Sequence, residues 1–239
     1  MTHSTKSLAT LALATILTVA TTLTATAGSN STDGSIKLLT ANFTSRSVVQ
    51  VEAGDFHFKP GQLAPVHTHS APAIGYVAKG SIIYQVEGEQ PQILNAGDAF
   101  YEPVGPRILR FDNASATKEA IFIDFYLEQA GEPFIVFEKP LTEKIDRRTL
   151  PTIKLDGGNI EQVEIYSNEL KPAETFKLAS NHPTLGLVAE GVVELQVEGK
   201  QKQRIVAGGT FALPKAGSRA TLVNASSEVM ANVITFRLK

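Results

Sequence analysis

The sequence predicts an all-β protein built from two tandem antiparallel barrels or sandwiches. Three observations carry this. The chain repeats itself once, each copy is a string of short apolar runs, and glycine and proline punctuate those runs at short intervals. "SVVQVEAGDFHFKP" (47–60) aligns with "NIEQVEIYSNELKP" (159–172) at an offset of 112. From Ile74 to Leu127 the offset is 111 without a gap, and 21 of those 54 positions are identical. That is far more than unrelated segments share, so the second half is a duplicate of the first. Two units are too few for an open solenoid.

The chain opens with a stretch that reads as a signal peptide over residues 1–27. Lys6 supplies a basic start, "LATLALATILTVATTLTATA" is uncharged and apolar to small, and Ala25-Thr26-Ala27 forms an A-x-A cleavage pattern before Gly28. An uncleaved membrane anchor is the rival reading, weakened by the many Thr and Ala residues. Cleavage would place the mature chain in the periplasm or outside the cell, without stable membrane insertion. Residues 28–35, "GSNSTDGS", read as a polar flexible leader.

Each unit then reads as strands. "IGYVAKGSIIYQVEG" holds two runs rich in β-branched and aromatic residues, joined at Lys79-Gly80. "GEQPQI" and "NAGDAFYEPVGP" are turn-rich. "EAIFIDFYLE" is apolar on both faces, as expected of a strand buried between layers, and "SSEVMANVITFRLK" closes the second unit in the same way. Residues 128–158 form a connector in which "LTEKIDRR" is expected to make one or two helical turns capped by Thr142. The units are expected at 28–138 and 139–239.

Composition removes several function classes. A net charge of -2 over 239 residues leaves no electrostatic footprint for nucleic acid or an anionic membrane. There is no cysteine, which excludes disulfides, thiolate ligands and thiol nucleophiles. No phosphate-binding glycine loop and no nucleophile elbow occurs. Any metal must be held by imidazole, carboxylate and water.

His67 and His69 stand one residue apart in an extended stretch, so their imidazoles share a face. Imidazole suits Zn, Fe, Mn, Cu and Ni. The surrounding pattern resembles the cupin superfamily. Gly61, five residues, His67, one residue and His69, with Gly80 closing at the right distance, match its first motif G-x5-H-x-H. Gly97, Pro103 and Gly105 match its second. The likeness is to the small conserved-barrel kind, covers 47–127 and more faintly 159–239, and implies two tandem cupin (double-stranded β-helix, jelly-roll) barrels.

Against that pattern, the motif Glu falls at Ala73 and the second-motif His at Ile108, neither of which has a donor atom. The motif Asn falls at Asp112 or Asn113. Two ligands are few for a metal, so a third is sought in Glu102 or in His57. His57 lies between Phe56 and Phe58 and so faces away from them. Arg110 is expected, by alternation, to share the inward side of Ile108, with Arg107 outside. Tyr76, Tyr84, Phe100 and Arg110 are the expected lining of a substrate pocket. The second unit offers only Leu178 to Asn181 and then His182, with Arg219 in the slot of Ile108, so it is expected to be metal-free.

The resemblance implies a divalent transition metal (Fe, Mn, Zn, Ni or Cu) on His67, His69 and Glu102, and a small-molecule reaction of the dioxygenase, isomerase or decarboxylase type. The rival is a non-catalytic barrel that binds a small molecule through a vestigial site. Exposed strand edges could pair two copies into a homodimer.

Overall fold

The computed structural model describes residues 34–141, 144–179 and 181–239. The expected signal peptide and the expected cap Thr142 lie outside these residues. Among the described residues every helix or strand is a β-strand.

The first unit contributes β1 (Ile36–Phe58), β2 (His67–Thr68), β3 (Ala73–Lys79), β4 (Ser81–Val86), β5 (Gln92–Asn95), β6 (Ala99–Glu102), β7 (Ile108–Asn113) and β8 (Ala120–Glu128). The connector adds β9 (Val136–Phe137) and β10 (Asp146–Thr149). The second unit contributes β11 (Ile153–Leu170), β12 (Thr175–Ala179), β13 (Thr184–Glu190), β14 (Val192–Val197), β15 (Gln203–Val206), β16 (Thr210–Leu213), β17 (Arg219–Asn224) and β18 (Ala231–Leu238).

Among the described residues of "LTEKIDRR" (141 and 144–148) no helical turn is formed. Asp146–Thr149 is β10, paired antiparallel with Gly54–His57 of β1. Local helix propensity is weak beside a ladder of backbone hydrogen bonds on an open strand.

One nine-stranded sheet runs through both units in the order β16-β13-β18-β11-β1-β8-β3-β6, with β10 added on β1. Each half faces a smaller sheet, β5-β4-β7-β2-β9 in the first unit and β12-β17-β14-β15 in the second. The inner faces enclose two barrel cores. Val77, Ile82, Tyr84, Phe100, Phe111 and Phe122 fill the first, and Val188, Leu195, Phe211, Leu222 and Val233 the second. The outer faces of the large sheet pack barrel on barrel, with Ile74, Phe125, Leu185 and Phe236 in one cluster and the rings of Phe125 and Phe236 4.9 Å apart.

The units also exchange strands. The start of β1 pairs with β11 of the second unit (Ile36 with Ser167), while β10 and the start of β11 pair with β1 (Gly54 with Thr149, Val51 with Ile153). The repeated Gln-Val-Glu is the clasp of this exchange. Val51 and Val163 are fully buried. Gln50 accepts from Lys154 and Glu52 pairs with Arg147, both on arriving strands. In the mirror position Gln162 donates to Asn42 at 2.7 Å and Glu164 pairs with Lys37 at 2.7 Å.

Turn and packing residues recur in both barrels. Asn113 donates its amide to the carbonyls of Phe58, Lys59 and Lys118, and Asn224 does the same to Leu170, Lys171 and Val229. The motif Asn is therefore Asn113, and its work is structural.

A candidate metal centre in the N-terminal barrel

His67 opens β2 and pairs in register with Ile108 of β7. His69 follows two residues later, and the two rings stand edge to face at 4.9 Å. Ala73, at the position of the motif glutamate, pairs with Glu102 of β6 on one side and Tyr126 of β8 on the other. Residues directly opposite in a ladder present their side chains to the same face. The carboxylate missing at Ala73 is thus supplied from the next strand, and Glu102 enters the space that a side chain on residue 73 would have filled.

All three residues are buried, His67 at 5%, His69 at 2% and Glu102 at 3% exposure. One donor atom from each lies within 4.8 Å of the others. His67 Nε2 is 3.7 Å and His69 Nε2 3.4 Å from the carboxylate. Ligands of a tetrahedral metal with bonds of about 2.1 Å lie roughly 3.4 Å apart. His67 Nδ1 donates to the Pro65 carbonyl at 2.8 Å, which fixes the tautomer and turns the Nε2 lone pair toward Glu102, as in metal-ligating histidines. Neither nitrogen of His69 has a hydrogen-bond partner, nor has Oε1 of Glu102. Buried polar atoms left this way are costly, and a divalent cation among them would satisfy all three residues.

The charges agree with this geometry. Burial alone would raise the Glu102 carboxyl, but the imidazoles of His69 and His67 overcome it and hold the group down at about 2. Burial works to lower His67, and Glu102 more than offsets it, so the net shift is upward.

Beside these residues lies a cavity of about 30 Å³ bounded by His67, Glu102, Asp124 and Tyr126 and walled by Phe56, Phe58, Phe111 and Phe122. That is room for about two waters. Ile135, Phe137 and Ile145 of the connector complete its lining, and Phe134 stacks on Tyr126 at 3.7 Å.

The expected pocket residues lie elsewhere. Tyr76 points out of the barrel into the cluster between barrels, because β3 turns Ala73, Gly75 and Val77 inward and Ile74 and Tyr76 outward. Tyr84 and Phe100 are inside, but behind the cavity wall. The Tyr84 hydroxyl donates to the Tyr101 carbonyl at 2.6 Å, and Phe100 packs on Phe111 at 5.0 Å. Arg110 is not inward. Its side chain is 40% exposed and pairs with Asp112 at 2.7 Å. The cause is a bulge at Leu109: Val86 pairs with Ile108 and Gln85 with Arg110, so the alternation resets. His57 sits on another face, between Asp55 and Glu119 at 3.1 and 3.3 Å. Asp124 and Tyr126, hidden in the apolar run "EAIFIDFYLE", carried no spacing signal of their own.

In the second barrel, Leu178 and Leu213 stand at the positions of His67 and Glu102, and both are buried. The slot of Ile108 is taken by Ala220 and not by Arg219: His67 and Val86 pair with Ile108, and their counterparts Leu178 and Val197 pair with Ala220. β17 pairs with β14 without a bulge, which shifts the match by one residue, and Arg219 is exposed.

The comparisons accord with this fold. A family profile described as "Cupin domain" matches residues 50–126. Residues 50–126 are a cupin domain. Solved two-barrel structures share this fold over most of the chain. AerE from Microcystis aeruginosa has a TM-score of 0.57 at 15% identity, over 85% of this chain and 98% of that one. Salicylate 1,2-dioxygenase from Pseudaminobacter salicylatoxidans has a TM-score of 0.54 at 14% identity, over 82% and 72%. An oxalate decarboxylase has a TM-score of 0.58 at 13% identity, over 85% and 76%. At such identities the likeness is one of fold. No curated protein sequence matches the chain.

Proposed function

We propose that the N-terminal cupin barrel binds one divalent transition metal through His67, His69 and Glu102 and acts on a small oxygen-bearing molecule. The observation that carries this reading is the convergence of three buried, under-partnered donors within 4.8 Å. Two imidazoles and one carboxylate form the set used by non-haem Fe(II) centres, so Fe(II) is the first metal to test, with Mn, Zn, Ni and Cu after it. When bound, such a metal orients and polarises substrate oxygens. The protein supplies the rest. Pro65 holds the His67 tautomer, the phenylalanine wall excludes water, and the connector limits the size of what enters. Dioxygenation, isomerisation and decarboxylation of a small acid all fit this class.

Elemental analysis of protein expressed with metals supplied and never chelated tests the reading. About one equivalent is expected in the wild type and less than a tenth in His67→Ala/His69→Ala and in Glu102→Leu. A metal-free wild type overturns the metal site and leaves a small-molecule-binding barrel. The proposed export is tested separately: the mature protein should appear in the periplasmic or secreted fraction with Gly28 as its first residue.

A further inference from the structure

Asp124 is a buried acid that the metal reading does not use. It lies in the middle of β8 at 2% exposure and borders the same cavity as His67 and Glu102. Its Oδ1 has no hydrogen-bond partner. Tyr126, two residues further along the same strand, borders the same cavity.

On the β1 side a glycine leaves space beside it. Asp124 pairs with Gly54 on β1 and with Gly75 on β3, so glycine flanks it on both sides. A Cβ at Gly54 would come 3.3 Å from Asp124 Oδ1 and 3.0 Å from Arg147 Nε. The second barrel lacks the arrangement. Thr235 stands at the matching position, paired with Gly186 on one side but with Tyr166 on the other. Its hydroxyl is taken by Asn168 at 3.2 Å. The acid, the Gly54 beside it and its unpartnered Oδ1 occur together in the barrel that keeps the histidines.

We infer that the Asp124 carboxyl is the ligand-anchoring group of the N-terminal cavity, placed to hydrogen-bond one oxygen of a small carboxylate. This rests on the metal reading above. Burial first, and then the nearby Glu102 carboxylate, push the Asp124 carboxyl above its ordinary range, against the Arg147 guanidinium and the Gly54 backbone N–H. A hydrogen bond to a bound carboxylate requires the protonated acid, the form that Asp124→Asn imitates. A divalent cation on two neutral imidazoles and one carboxylate leaves one positive charge in excess. A monoanion neutralises it, and a neutral Asp124 adds no repulsion. A cavity for about two waters admits an anion the size of formate.

Formate titrated into the Co(II)-loaded protein, followed by the cobalt absorption bands, tests the inference. Asp124→Asn keeps a donor at the same reach. Asp124→Thr installs the shorter residue that the second barrel already accommodates. Both variants should hold one equivalent of cobalt and keep the wild-type circular dichroism. Formate affinity should stay within about 3-fold of wild type for Asp124→Asn and fall at least 10-fold for Asp124→Thr. Wild-type formate affinity in a metal-loaded Asp124→Thr overturns the inference while leaving the metal site intact. So does loss of cobalt in Asp124→Thr with retention in Asp124→Asn, which would make Asp124 a support of the ligands. Loss of affinity in both variants, metal retained, also overturns it as a donor role. If the wild type takes up no cobalt, the metal reading itself has failed.

Discussion

The two barrels share a fold and differ in what they could do with it. Gly75 meets Phe100 in one and Gly186 meets Phe211 in the other, and Asn113 and Asn224 make the same three bonds to the same kind of turn. These matched features are all architectural. The unmatched ones gather in one place: His67, Glu102 and Asp124 against Leu178, Leu213 and Thr235. The bulge at Leu109 belongs to the same side of the comparison, since β7 has it and β17 does not. A barrel of this kind can therefore lose or gain its polar interior without disturbing the contacts that hold it closed.

The largest expected effect tests the matched side. In Gly75→Ala the new Cβ would sit 2.2 Å from Phe100 Cζ and 2.5 Å from the Ile123 carbonyl, and in Gly186→Ala 2.1 Å from Phe211 Cζ. Each should destabilise the protein by about 3 kcal/mol or more, read by chemical denaturation. Tolerance in one barrel alone would break the equivalence.

A smaller effect tests the clasp between units. Burial tends to raise Glu164, but Lys239, Lys37 and Tyr166 hold it down at about 2. A depressed carboxylate contributes stability above its unfolded value and loses it as pH falls toward the folded one. Glu164→Gln should thus cost about 2 kcal/mol at pH 7, allowing for screening near the surface, with the difference shrinking between about pH 5 and pH 2. A pH-independent difference would assign the loss to packing.

The smallest effect has the opposite sign. His67→Leu/His69→Ser/Glu102→Leu gives the first barrel the residues of the second. Without metal it should be as stable as wild type or about 1 kcal/mol more so, because a buried charged cluster gives way to apolar packing. Thermal unfolding in chelator reads this, and a clear fall in stability would mean that the polar cluster also holds the barrel together.

How far the sequence reached can be traced in the same residues. The strands and their turns were legible because alternation and Gly/Pro punctuation are local signals. The histidine pair was legible because i, i+2 spacing on a strand fixes a common face. Glu102 was visible as a candidate, but only the register that sets it opposite Ala73 gives it a place. Arg110 was misplaced because a bulge leaves no mark on alternation until its partner strand is known. Tyr76 was misplaced because both faces of β3 are buried, one inside the barrel and one between barrels. Asp124 was passed over as one polar position in an apolar strand. Where a helical turn was expected, Asp146–Thr149 pairs instead with a strand far off in sequence, which no local window contains.

The exchange of strands sets the order in which this chain can be completed. Lys37 waits for Glu164, 127 residues further on, and at ordinary rates of synthesis that interval is on the order of 10 s. The first barrel can close its own small sheet while the ribosome is still working, but its large sheet stays open until β10 and β11 arrive. By the same geometry, a chain cut in the connector should yield halves that complement one another when mixed, each donating the strand the other lacks.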